Sequence, residues 1–231
     1  MFKLGITLAV LVASVLFTLT IWPDLLFFYD FRDENIILRS DEPIPPEAIN
    51  VLKDVERRLE RSALPLDGPY KVYICNKTWK LSFFGRRTST NFGGVSDVYL
   101  SRNIYIRPAD IRRNSVLPPA SWRFSMADRP LSYFIAHEIT HIQQVEFIGV
   151  LRYLQTPAWL LEGYADHIGK GKNLDIGDSR KALQDGAPEM DPKNGLYTRY
   201  QLAVELLLRE KSFMELVEDP PDPESVLRLA K

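Results

Sequence analysis

The stretch YFIAHEITHIQQVEF, residues 133–147, places two of the chain's three histidines four residues apart around a glutamate. On a helix, positions i and i+4 share one face with their Cβ atoms about 5–6 Å apart. His137 and His141 can therefore reach one metal ion together, with Glu138 beside its open side. Apolar residues recur at helical spacing around the motif, from a start marked by Asp128 and Pro130 to a stop at Gly149. A catalytic zinc needs a third protein ligand and an open fourth position, and that ligand must come from another element.

Two residues qualify, Glu162 and His167, both on a helix that starts at Thr156-Pro157 and stops near Gly169. A ligating histidine usually passes its second ring N–H to a carboxylate. Asp166 follows Glu162 by four residues, on the same helical face. His167 is turned about 140° away from Glu162 at roughly 3.6 residues per turn. Glu162 and Asp166 are thus the pair that offers a ligand and an acceptor together. A metzincin arrangement would need glycine and histidine where the chain has Gln144 and Phe147.

His137-Glu138-x-x-His141, then twenty residues, then Glu162-Gly-Tyr-Ala-Asp166 resembles the gluzincin metallopeptidases, the group of thermolysin and the aminopeptidase-like enzymes. The resemblance implies that His137, His141 and Glu162 bind zinc, that Glu138 is the general base, and that Asp166 orients a ligand histidine. Trp159 and Gly163 also stand where the group commonly has them. An oxyanion donor is implied as well, a tyrosine on a later helix. YTRYQLAVELLL, residues 197–208, resembles that context and puts Tyr200 first and Tyr197 second, with Ala203 where the family has glycine. The match covers roughly residues 131–210. No Gly-x-Met-Glu-Asn stretch precedes the helix, and Leu161 replaces thermolysin's asparagine, so an endopeptidase is expected rather than an aminopeptidase. The strand in NIYIRP, residues 103–108, is either the edge along which an extended peptide substrate would lie or an internal strand. The alternative is a membrane-tethered metal-binding scaffold or binding module without turnover.

The first thirty residues differ from the rest. From Leu4 to Trp22 there are 19 residues without a charge, a membrane segment or a signal peptide. The run exceeds an h-region of about 7–15 residues and no A-x-A site follows, which favours an uncleaved anchor through residues 4–22. Trp22, Phe27, Phe28 and Tyr29 read as an interfacial aromatic belt. Lys3 points to a cytoplasmic N-terminus, placing the chain from about residue 31 outside the cytoplasm. The expected organisation is a transmembrane or signal segment at 1–30, then a zincin-like domain at 31–231, with an α/β part at 43–126 and a mainly helical part at 127–231.

With 29 basic and 30 acidic residues, the net charge of -1 leaves no broad footprint for nucleic acid. The cluster Arg57, Arg58, Arg61 reads as a solvated helix face. The single cysteine, Cys75, excludes an intramolecular disulfide and any site needing two thiolates, and its apolar neighbours place it in a core. Ile49, Leu52, Val55 and Leu59 define an amphipathic helix over about 46–63. YKVYIC reads as a strand, and DVYLSRNIYIRP, residues 97–108, as two short strands around a turn. GRRTSTNFGGVS, residues 85–96, reads as a glycine-containing loop that either lies over a site or, by default, connects strands. SFME at 212–215 matches a capping box and DPES starts a last short helix. The fold class expected is α+β: an N-terminal transmembrane helix, a short β-sheet, an active-site helix and a helical C-terminal part.

Overall fold

Alternating apolar residues build the sheet. In the computed structural model, which describes residues 2–122, 126–172, 174–194 and 196–229, strands β1 (Tyr29–Asp33), β2 (Ile36–Ser40), β3 (Tyr70–Ile74), β4 (Gly94–Ser96) and β5 (Ile104–Ile106) form one sheet in the order β1-β2-β3-β5-β4. β2, β3 and β5 run parallel, and the two outer strands are antiparallel to their neighbours. Strands β6 (Ala109–Asp110) and β7 (Ser115–Val116) make a separate short pair.

One face of the sheet carries Ile36, Leu38, Val72, Ile74, Ile104 and Ile106, all inaccessible to solvent. Helices α2 (Ala48–Leu59) and α4 (Leu131–Ile148) pack in the same core. The apolar stripe of α2, Ala48, Val51, Leu52, Val55 and Leu59, is buried there. Side chains of opposite parity point to the other face, where Tyr73 and Tyr105 stack at 5.3 Å and Tyr105 stacks on Phe84 at 4.8 Å. Phe84 belongs to α3 (Thr78–Gly85), a helix the sequence reading missed. Cys75 is buried in this aromatic layer, as its neighbours predicted.

The C-terminal part is helical, as expected. After α4 come α5 (Val150–Gln155), α6 (Ala158–Gly169), α7 (Ile176–Gln184), α8 (Thr198–Leu207), α9 (Phe213–Glu218) and α10 (Pro223–Leu229). The capping box at Ser212 and Glu215 forms, with reciprocal side-chain bonds at the start of α9. A Cβ on Gly163 would lie 2.6 Å from the carbonyl oxygen of Tyr200. Glycine there lets α6 approach the backbone of α8, while its opposite side packs on α4.

Several expectations are corrected. The apolar N-terminal run forms helix α1 (Phe2–Ile21), but among the described residues no helix is long and apolar enough to cross a membrane. The transmembrane helix and the single-pass placement outside the cytoplasm are therefore withdrawn. Of the four aromatics that follow α1, Phe27 is wholly buried against Tyr73 and Phe84, whereas Trp22, Phe28 and Tyr29 are exposed, Tyr29 at the start of β1.

The supposed loop 85–96 supplies β4, whereas Val98–Ser101 is a turn. The strand within NIYIRP is internal, so the edge beside α4 is Gly94–Ser96. Arg58 is not solvated either. It pairs with Asp54 and donates 2.5 Å to the carbonyl of Gly169, tying α2 to the end of α6.

Candidate metal centre

Helix α4 is buried on every side from Leu131 to Val145, polar residues included. Such burial is costly unless polar groups find partners, and most here do, with Gln143 Oε1 and His137 Nδ1 left without a hydrogen bond. Ser132 donates to Asp54, Thr140 to the carbonyl of Ala136, and Gln143 to that of Pro65. His137 and His141 complete the series by facing each other, Nε2 to Nε2 at 3.2 Å. Helix α6 brings Glu162 Oε2 to 3.4 Å from His137 Nε2 and 3.6 Å from His141 Nε2. Tetrahedral bonds of about 2.0–2.1 Å put neighbouring donor atoms about 3.3–3.4 Å apart. The triangle fits a zinc-sized ion without rearrangement.

The surroundings fix which ring nitrogens face inward. Gln144 Nε2 donates 2.9 Å to the carbonyl of Leu161, an obligate acceptor, so its Oε1 is the atom 2.9 Å from His141 Nδ1. In its neutral form His141 therefore carries its proton on Nδ1, which leaves Nε2 to face inward. His137 Nδ1 lies 3.1 Å from Asp166 Oδ1, which also accepts from Tyr133 at 2.6 Å. Asp166 is wholly buried, with Lys170 Nζ 3.8 Å from its other oxygen. With both Nδ1 atoms directed at outer partners, the two Nε2 atoms and Glu162 Oε2 converge on one point, a set that can hold a proton or a metal ion.

The electrostatics agree. Burial by itself would lower the basicity of His137, but Asp166 and Glu162 outweigh it and push the imidazole up to about 10. His141 is raised too, burial again opposing and the Glu162 charge prevailing. Burial would lift Glu162, yet the charge of His141 and the contacts of both imidazoles hold it far below the usual carboxylate range. Asp166 is likewise held down against its burial, by His137 and Lys170. The set retains positive charge strongly, and a metal would take the place of the proton.

Around this triangle lies a cleft of about 440 Å³. Glu138 forms part of its wall, and its Oε2 accepts from Ser96 Oγ on β4 at 2.9 Å. Tyr197, just before α8, lines the cleft and stacks over the His137 ring with centroids 6.2 Å apart. Burial raises its phenol above the ordinary range, helped by the charge of Glu162. Tyr200 stacks on Tyr197 but is not among the cleft residues.

Of the two candidates for third ligand, Glu162 joins the histidines. His167 stands apart, its Nδ1 3.2 Å from Glu205 on α8. Sequence reasoning missed Ser96, Gly94, Gln144 and Tyr153, whose hydroxyl lies 3.4 Å from His141 Nδ1. Only Gln144 carried a signal, its i+3 spacing from His141. No family model, curated protein or solved structure matches the chain. The resemblance to gluzincins rests on the motif residues alone.

Proposed function

We propose that the chain is a zinc-dependent peptidase, an endopeptidase, with Glu138 as general base. The observation that carries this reading is the convergence of His137 Nε2, His141 Nε2 and Glu162 Oε2 within 3.2–3.6 Å, with Glu138 on the wall of the same cleft. Zinc held by those three atoms would supply a Lewis acid for the scissile carbonyl and lower the pKa of a water to about 7. Glu138 then takes the water's proton and returns it to the leaving nitrogen. Tyr197 is the donor that faces the developing oxyanion, in preference to Tyr200, because it lines the cleft over His137.

The sheet edge supports a peptide as substrate. Arg107 N–H donates to the carbonyl of Gly93 at 3.0 Å and Asp97 N–H to that of Asn103 at 2.8 Å. By alternation, Gly94 and Ser96 turn their backbone groups away from β5, along the outer edge. An extended chain pairing there would lie across Glu138.

The test is zinc content and peptide hydrolysis of the chain beside Glu138→Gln. About one zinc per chain is expected in both, with hydrolysis reduced on the order of 10²- to 10⁴-fold in the variant. Zinc without cleavage of any peptide in a broad library would leave a metal-binding module. A parent chain without zinc would end the metal reading altogether.

A further inference from the structure

We infer that Gly94 and Ser96 form a seat on β4 that fixes the carboxylate of Glu138, which makes Ser96 a positioning residue of the reaction proposed above. The two residues share one side of the strand, and both meet Glu138. Ser96 Oγ donates to Oε2 at 2.9 Å. At position 94 a Cβ would come within 2.9 Å of Glu138 Cγ and 3.1 Å of Oε1. The carboxylate therefore lies along β4, one oxygen bonded to a hydroxyl and the other in the space that a missing side chain leaves. Val95, between them, points to the opposite face and packs against the aromatic layer of Tyr73, Phe84 and Tyr105. That anchor holds the seat at a fixed height.

A glutamate has three rotatable bonds, and a general base misplaced by about 1 Å loses on the order of 10² in rate. Glu138 is almost wholly buried, so its charge also needs a donor in place of water. Ser96 meets both needs through one bond. The strand that would register the peptide is thus the strand that registers the base, so substrate and proton acceptor are positioned by one element.

The experiment compares the zinc-loaded chain with Ser96→Ala and Ser96→Thr, by crystal structure and by steady-state peptide hydrolysis. In Ser96→Ala the Glu138 carboxylate is expected to leave β4 while zinc content is unchanged. kcat should fall about 10- to 100-fold, the range of a hydrogen bond to a charged group, with KM within about twofold. Ser96→Thr keeps the hydroxyl and should restore both the carboxylate position and kcat. Gly94→Ala should also displace the carboxylate, with Ser96 intact. A carboxylate unmoved in Ser96→Ala, or Ser96→Thr as slow as Ser96→Ala, overturns the inference. If the parent chain cleaves nothing, the peptidase reading falls, and the carboxylate position in Ser96→Ala still decides whether Ser96 seats Glu138.

Discussion

The molecule holds two histidine–carboxylate pairs of almost equal length that have different consequences. His137 Nδ1 lies 3.1 Å from Asp166 between α4 and α6, and His167 Nδ1 lies 3.2 Å from Glu205 between α6 and α8. Both carboxylates are buried and both have pKa values held below the ordinary range. What separates the pairs is the far nitrogen of each ring. For His137 it meets His141 and Glu162, whereas His167 joins no metal-holding group among the described residues. A carboxylate behind a histidine orients the ring, and convergent acceptors in front of it are needed to make a site.

The largest break in this comparison removes the acceptor in front of the first pair and a whole imidazole from the second. Glu162→Ala should lose stoichiometric zinc, while His167→Ala should keep about one zinc per chain, both measured by metal analysis after dialysis. Zinc retained by Glu162→Ala and lost by His167→Ala would invert the assignment. Next comes Asp166→Asn, which keeps the shape but removes the charge behind His137. Loss of such an outer partner typically costs about 10- to 100-fold in metal affinity, to be read by competition with a chelator. An unchanged affinity would mean that the Asp166 carboxylate serves packing with Tyr133 and Lys170 alone.

His141 sharpens the point because its support is neutral. Gln144 orients it through an amide that is itself fixed by the Leu161 carbonyl. Gln144→Ala should therefore weaken zinc by about tenfold or less, at the low end of that range. An effect larger than that of Asp166→Asn would show that ring orientation matters more than charge.

How much of this was legible in the sequence follows from distance along the chain. His137, Glu138 and His141 share one helix, so their spacing alone gives the face they share. Glu162 and Asp166 share another, and their four-residue spacing distinguished them from His167. Ser96 lies 42 residues from Glu138, on a three-residue strand that begins in the Gly93-Gly94 pair, which reads as loop. Nothing local marks such a contact, because it depends on which strand ends the sheet. The position of the two tyrosines relative to the cleft was hidden for a related reason. Alignment on an apolar helix favoured Tyr200, but Tyr197 precedes the first turn and projects into the cleft. The N-terminal helix was legible as a helix, and its expected membrane role was the error.

The smallest effect belongs to the second pair, and it concerns stability rather than zinc. Glu205 accepts from the backbone N–H of Leu174 at 2.9 Å and from Gln201 at 2.7 Å, with His167 beside it. Burial would raise its pKa, but these partners outweigh burial and hold it below its ordinary 4.5. A carboxylate depressed by folding contributes stability that is complete above the unfolded value of 4.5 and is lost as pH falls through the lower folded value. Glu205→Gln should thus cost about 1–2 kcal/mol at pH 7, the scale of charge-assisted bonds lost. Against the parent chain at matched pH, that difference should shrink in acid well below 4.5. Urea denaturation at the two pH values measures it, and zinc content at pH 7 should not change. An equal cost at both would show that the bonds act through shape and not charge. Zinc lost with Glu205→Gln would instead mean that the two pairs are coupled through α6, the helix carrying Glu162, Asp166 and His167.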